Sequence, residues 1–326
     1  MNKIKFLLVY FFVFIAASCH AQNDELILGT YKVTKVTDGD TFRYDKLDGS
    51  ARLIFIDTEE TIKGDTAEAS TNKLREFWLQ YYQMEKGDSK YPAKTSSPFG
   101  YDSWKWAEEF MKDADSVRLE RDDMTRVKDM FNRHLVYMIV YKDGNEINYN
   151  IEAVKQGITP YFNKYGNSKR FHQEFIDAQN YARTNRLGIW NDTVQHYPDY
   201  PLRIEWWSKR EKQLSDFDKN YSNNSQYINL TNDNGFTQLE SNLDKEIIIF
   251  GNIGEVLQNR FPYLITIPKS KEERFELVVF ESDKDVMGKL NMDELMENSI
   301  YVKGKLQKYK NRYQIVLKSP EQIWIN

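Results

Sequence analysis

Near the start of the chain, β-branched and aromatic residues partly alternate with polar ones in three short runs. These are "YKVTKV", "TFRY" and "ARLIFI", and they predict strands, with "KLDGS" as the turn between the last two. The period then lengthens. "TAEASTNKLREFWLQYYQ" places Leu74, Phe77, Trp78 and Tyr81 at helical spacing. A polar Pro/Gly loop, "MEKGDSKYPAKTSSPFG", separates it from a second helix with Trp104, Ala107, Phe110 and Met111 on one face. "DSVRLER" and "HLVYMIVY" read as strands, and "KDGN" after the second is a hairpin turn. "IEAVKQG" reads as a short helix stopped by Gly157. "FHQEFIDAQNYARTNRLGIW" is a longer helix with Phe171, Phe175, Ala178 and Ala182 inward and Gly188 at its end.

From about residue 193 to 245 the composition shifts to Asp, Asn, Ser, Tyr and Lys. This stretch is expected to be a linker containing one helix, with Trp206 and Trp207 docking on a neighbouring domain. From 246 to 326 alternation returns in "EIIIFGNIGEV", "YLITIP", "FELVVF" and "SIYVKGKLQKYKNRYQIVLKSPEQIWI", with one brief helix, "NMDELMEN". Several short strands with turn signals predict a second, small β-barrel. A chain of 326 residues, 40% of them hydrophobic, is long enough for two such cores.

The first 21 residues, "MNKIKFLLVYFFVFIAASCHA", carry two lysines, an apolar run and then small residues. The run is too short to span a membrane and fits a secretory signal, removed before folding. Two processing routes stay open. "AASC" resembles a bacterial lipobox, which would make Cys19 a lipidated membrane anchor; "CHA" could instead be cut to release a soluble protein. Either route places the mature chain outside the cytoplasm. Cys19 is also the only cysteine, so no intrachain disulfide forms. The formal charge is −4, and removing Lys3 and Lys5 makes the remainder more acidic. Broad non-specific binding to nucleic acid is therefore not expected, whereas a local basic cleft is compatible with that total.

The candidate chemistry sits at two strand ends. "VTDGDTF" holds Asp38 and Asp40 around a glycine, and "RLIFIDTEET" ends in Asp57, Thr58 and Glu60. Asp-Gly is by itself a turn signal, and a turn alone is one reading. The other is a pair of carboxylates aimed at a hard cation such as Ca²⁺. Zinc is not expected, since the chain has one cysteine and four scattered histidines. Arg52, on the strand leading to Asp57, can share a phosphate with such a cation, and Glu60 is placed to position or deprotonate water.

"VTDGDTF", "RLIFIDTEET", "DMFNRHLVYMIV", "IEAVKQGI" and "LGIW" occur in the order seen in staphylococcal nuclease, and residues 28–192 resemble that family, with an insertion at about 62–97. The resemblance implies a β-rich α+β fold, a five-stranded OB barrel with helices. It implies Asp40, Asp57 and the Thr58 carbonyl as ligands of a catalytic Ca²⁺, with Asp38 supporting them. It implies Arg52 and Arg133 as the phosphate clamp, Glu60 as the water-activating carboxylate, and cleavage of DNA or RNA to 3′-phosphate ends. Departures accompany it. Glu59 replaces a proline and is expected to be a solvated acid beside the metal. Met130, Phe131 and Asn132 precede Arg133 where the family carries a lysine and a tyrosine; Phe131 can still stack. Tyr165 matches one cleft tyrosine; Asn163 falls where the other belongs, unless a gap lets Tyr161 serve.

In the last 81 residues, "IYVKGKLQKYKNRYQIVLKSPEQI" interleaves Lys308, Lys310 and Arg312 with Tyr309 and Tyr313. Cations that follow a backbone, between aromatic stacking surfaces, suit single-stranded nucleic acid, and this module resembles nucleic-acid-binding OB modules. A lysine-rich hairpin guarding a sheet edge is the other reading. For the whole chain, the alternative to an enzyme is a catalytically impaired surface protein that binds nucleic acid.

Overall fold

The computed structural model describes residues 25–326. The signal segment and Cys19 lie outside the described residues. The strand-forming runs of the first half become β1 (Ile27–Tyr31), β2 (Val33–Val36), β3 (Thr41–Tyr44), β4 (Ser50–Leu53), β5 (Ser116–Glu120), β6 (His134–Lys142) and β7 (Asn145–Asn148). Their order in the sheet is β1-β5-β6-β4-β3-β2, with β7 added beside β6. Only Lys32 separates β1 from β2, so the two ends of the sheet are halves of one bent run and the sheet curls back on itself. β4 and β6 run parallel and the other pairs antiparallel, which is the order of an OB fold. Alternation supplies its core: Phe42, Ala51, Leu53, Val117, Leu119, Val136, Met138 and Val140 are all fully buried.

Helices cover this barrel. The expected single helix of the insertion is two, α1 (Ala67–Arg75) and α2 (Trp78–Lys86), broken at Phe77, which is left exposed. Leu74 and Trp78 turn inward as expected, and Tyr82 joins them. α3 (Pro98–Met111) is capped by Ser97, whose hydroxyl accepts from the Gly100 N–H at 2.8 Å. α4 (Tyr149–Lys155) ends before Gly157 at φ +69°, and a Cβ there would meet the Leu187 carbonyl at 2.1 Å, so only glycine fits. α5 (His172–Thr184) buries Phe175, Ala178 and Ala182 as its period requires.

The stretch expected as a linker is largely ordered packing. α6 (Tyr200–Tyr221) is a 22-residue helix with one end in each half of the molecule. Tyr200 packs with the first core, Trp207 meets Phe162 edge-on at 4.7 Å, and Phe217 stacks on Phe250 of the second half at 4.5 Å. Trp206 donates to the Glu297 carbonyl at 2.7 Å, so both tryptophans do dock on neighbouring structure. β8 (Tyr227–Asn229) then joins the second sheet, parallel to β9 (Glu246–Asn252). α7 (Asp233–Gln238) returns to the first half, where Asp233 N–H donates to the Thr125 carbonyl at 2.9 Å.

The second half comprises β9, β10 (Glu255–Leu257), β11 (Tyr263–Pro268), β12 (Arg274–Val279), β13 (Ser299–Lys305), β14 (Gln307–Tyr309), β15 (Arg312–Val316) and β16 (Ile323–Trp324). α8 (Asp285–Lys289) and α9 (Met292–Glu297) lie between β12 and β13. The pairing runs β10-β11-β12-β15-β14 and β16-β13-β9-β8. β9 and β10 are nearly continuous, as are β13 and β14, so these two sheets are one path; within it β12 and β15 run parallel at the same topological position as β4 and β6, and β8 adds a second parallel pairing at its edge. The second module is therefore an OB-like barrel as well. No helix among the described residues is long and apolar enough to cross a membrane.

Candidate active site

The Asp-Gly-Asp stretch is both a turn and a site. Thr37 N–H donates to the Thr41 carbonyl at 2.9 Å, closing the bend, and Asp38 Oδ1 accepts from the Asp40 N–H at 3.3 Å. A Cβ on Gly39 would lie 2.7 Å from Thr58 Cγ2, so the glycine lets the bend press against the end of the next strand pair. Asp40 is thereby buried. Its Oδ2 accepts from Thr58 N–H at 2.9 Å and from Thr58 Oγ1 at 3.1 Å, and its Oδ1 accepts from Thr41 Oγ1 at 3.0 Å.

Arg52, opposite Thr41 in the β3–β4 register, unites the two acidic strand ends. Its Nη1 pairs with Asp40 Oδ1, while Nη2 donates to Asp57 Oδ1 at 2.6 Å and to the Ile56 carbonyl at 3.2 Å. Between Arg52 and Asp57 the chain turns at Phe55, a bulky residue at φ +62°. That conformation is costly for phenylalanine and is held by ring packing against Tyr137, Tyr161 and Phe175. Burial alone would push the Asp57 carboxyl up; the Lys94 and Arg52 cations outweigh it and hold the group below the usual carboxylate range.

Arg133 completes the cluster from the start of β6. Its Nε pairs with Asp129 Oδ2 at 2.6 Å and its Nη1 donates to Thr41 Oγ1 at 3.3 Å, linking it to Asp40 through one hydroxyl. The structure thus brings together Asp40, Asp57, Thr58, Arg52 and Arg133. Asp38 lies beside them, paired with Lys63 at 3.3 Å. Glu60 projects to solvent from a fixed backbone: its N–H donates to Tyr197 Oη at 3.3 Å and its carbonyl accepts from Ser97 N–H at 2.9 Å. No hydrogen bond or ion pair engages its side chain among the described residues.

Glu59 corrects an expectation. It is 1% exposed and turns inward from the cluster: the Ser97 hydroxyl donates to Oε2, and the Tyr197 N–H donates to Oε1 at 2.7 Å. Burial raises its pKa to about 7. The residues that bury it lie far along the chain, which is why its polar sequence neighbours suggested solvent.

Phe131 is 54% exposed, with Arg133 over its ring at 5.4 Å and Lys271 of the second module at 5.1 Å. Tyr165 is also exposed and carries Arg126 over its ring at 4.0 Å. Tyr161 is not available as the second cleft tyrosine at the place of Asn163, since it stacks within the core on Phe175 at 4.8 Å. Arg52, Asp57, Arg133, Phe131 and Tyr165 line a cleft of about 950 Å³ whose opposite wall is the second module, from Asn229 to Asp233, Asn252 to Gly254 and Ile267 to Lys269. The basic hairpin is elsewhere. Lys308 and Tyr313 are tied to Glu240, Arg312 pairs with Glu276 at 2.7 Å, and exposed Tyr309 lies under Lys310 at 5.4 Å; none of these lines the cleft.

Sequence reasoning missed Lys94 and Lys164, both lining the cleft. Lys164 lies over the Trp206 ring at 4.0 Å, and its position beside Tyr165 was an available signal. Lys94 had none, being one of several lysines in a polar loop.

No group of three or more His, Cys, Asp or Glu is arranged to hold a metal among the described residues. Asp40 and Asp57 are a two-carboxylate set that converges on one guanidinium, and the neighbouring Thr58 carbonyl adds a further hard oxygen donor. That chemistry fits calcium, with water completing its six to eight ligands.

An OB barrel whose strand ends gather two carboxylates and two arginines is a domain of nuclease type. A family described as staphylococcal nuclease homologue matches residues 50–192. Uncharacterized protein MJ1439 of Methanocaldococcus jannaschii is 30% identical over 163 residues, which span 49% of this chain and 70% of that protein. The chain belongs to the staphylococcal nuclease homologue family.

Proposed function

We propose that this chain is a calcium-dependent, extracytoplasmic nuclease that hydrolyses phosphodiester bonds of DNA or RNA and leaves 3′-phosphate ends. The observation that carries this reading is the single guanidinium of Arg52 spanning Asp40 and Asp57, with Arg133 joined to them through Thr41. A calcium ion held by Asp40, Asp57 and the Thr58 carbonyl supplies positive charge beside the phosphate when bound. Arg52 and Arg133 orient the phosphate oxygens and stabilise the charge that grows on them as water adds. Glu60, free and solvent-facing, takes the proton of the attacking water. The bond to the 5′ oxygen then breaks, and the departing oxygen takes a proton from solvent to become the 5′-hydroxyl end. The lysine-bearing leader supports export, and Cys19 supports a lipid anchor. A plasmid and a single-stranded oligonucleotide, each incubated with millimolar calcium or with chelator, test the reading. Calcium-dependent cleavage with 3′-phosphate ends is expected; activity with zinc and none with calcium would refute it.

A further inference from the structure

Lys94 belongs to the insertion, outside the barrel, yet its Nζ lies 2.8 Å from Asp57 Oδ1, the same oxygen that accepts from Arg52. Two buried clusters clamp the backbone on either side of it. At Ala93, the carbonyl accepts from Arg203 Nη2 and the N–H donates to Tyr82 Oη at 3.3 Å. At Thr95, Tyr197 Oη donates to the carbonyl at 2.5 Å and accepts from the N–H at 3.2 Å. Arg203 is itself buried and held by Asp199 at 2.7 Å, and Tyr82 Oη donates to Asp199 Oδ2 at 2.5 Å. So much buried polar structure around two loop residues fixes one geometry. What it fixes is a lysine whose side chain is 55% exposed toward the cleft. Met130, Phe131 and Asn132, on the other approach to Arg133, provide no cation.

Resting on the nuclease reading, we infer that Lys94 is a third catalytic cation, delivered by the insertion, whose ammonium binds a non-bridging oxygen of the phosphate held by Arg52 and Arg133. In the free protein Asp57 is its partner. With substrate present it keeps its proton and contributes charge only: water adds to phosphorus, the leaving oxygen departs, and Lys94 is unchanged. Its compact ammonium needs no fork geometry, so a flexible stem on a rigid backbone suffices.

The test compares Lys94→Ala, Lys94→Arg and, as a control on the same loop, Lys90→Ala. Lys94→Ala should lower kcat on a short single strand by about 100-fold, the scale of a lost transition-state donor. Lys94→Arg should recover part of that loss, and Lys90→Ala should match wild type. Binding is read separately, by fluorescence anisotropy of a phosphorothioate strand at two salt concentrations. Lys94→Ala should weaken it about tenfold and reduce the salt slope by about one. An unchanged salt slope and affinity in Lys94→Ala would overturn the inference even if the wild type cleaves normally. A wild type that binds but cleaves nothing defeats the nuclease reading alone, since the binding comparison still decides the role of Lys94.

Discussion

Arg133 Nη1 donates to Thr41 Oγ1 at 3.3 Å, joining the first residue of β3 to the residue that precedes β6. The same hydroxyl donates to Asp40, so one threonine fixes the spacing between the buried Asp40 carboxylate and the Arg133 guanidinium. Arg133→Ala should lower kcat by about 100-fold. Thr41→Val, which leaves Arg133 paired with Asp129 but removes its hydroxyl partner, should lower kcat by about tenfold with little change in KM. Arg133→Lys should not rescue, because the fork is lost. Steady-state kinetics on one oligonucleotide separates these outcomes, and full activity in Arg133→Ala would make that residue structural.

Arg52 carries a second expectation, because it neutralises two carboxylates that have little access to water. Arg52→Ala leaves Asp40 and Asp57 facing each other without it, a change of the kind that costs about 3–5 kcal/mol. Lys94 offsets part of this. Calcium, by binding the folded form, should restore much of the loss. Thermal melts of Arg52→Ala with calcium and with chelator should therefore differ by more than those of wild type. Equal differences would remove the two aspartates as metal ligands.

Glu59 should leave a signature in stability against pH. Its folded pKa of about 7 is raised from an ordinary 4.5, so the folded state binds more protons between those values. Its contribution is fully present below about pH 4.5 and is lost as the pH rises towards 7, on the order of 3 kcal/mol. Glu59→Gln should flatten that part of the curve. Urea unfolding at pH 5 and pH 8 checks it, and an unaltered difference between the two pH values in the variant would mean that Glu59 titrates normally.

A cut after Asp192 should be more damaging than a simple two-domain view suggests. It removes Tyr197, which fixes Glu60 and Thr95, and Arg203, which fixes Ala93. Activity on dinucleotide-sized substrates should fall together with the melting temperature. The double substitution Tyr309→Ala, Lys310→Ala should spare short substrates and raise KM several-fold on long single strands if the hairpin captures nucleic acid, since tethering raises the local concentration of substrate. Equal KM on both lengths would leave the hairpin as edge protection.

If Cys19 is lipidated, Cys19→Ala should move the protein from the membrane fraction to the soluble fraction or block its processing. A wild-type mature chain that begins at Gln22 would exclude the anchor.

The parts of the site that were readable in the sequence are those fixed locally. Asp40, Arg52 and Asp57 lie at or beside strand ends whose β-branched and aromatic neighbours announce the strand, whereas Arg133, just before the long apolar run of β6, was singled out by the family resemblance. The succession of strands and helices in the first half was readable in the same way, and its OB order came from the family resemblance of the motifs they carry. Lys94 and Glu59 were not, because Tyr82, Tyr197 and Arg203 determine their surroundings from distant places in the chain. The break at Phe77 was hidden for a related reason. Helical spacing allowed one continuous helix, and the choice of Trp78 and Tyr82 as inward residues comes from packing against Tyr197 and hydrogen bonds to His196 and Asp199.

α6 spans about 33 Å at 1.5 Å per residue, and it is buried at one end in each barrel. Neither barrel can open there without stripping a face from the helix that completes the other. Melting should accordingly be cooperative across the chain, with one calorimetric peak whose van't Hoff and calorimetric enthalpies agree. Protease should not release a stable half, and damage in the second barrel should reach the loop at residues 93–95 through the helix they share.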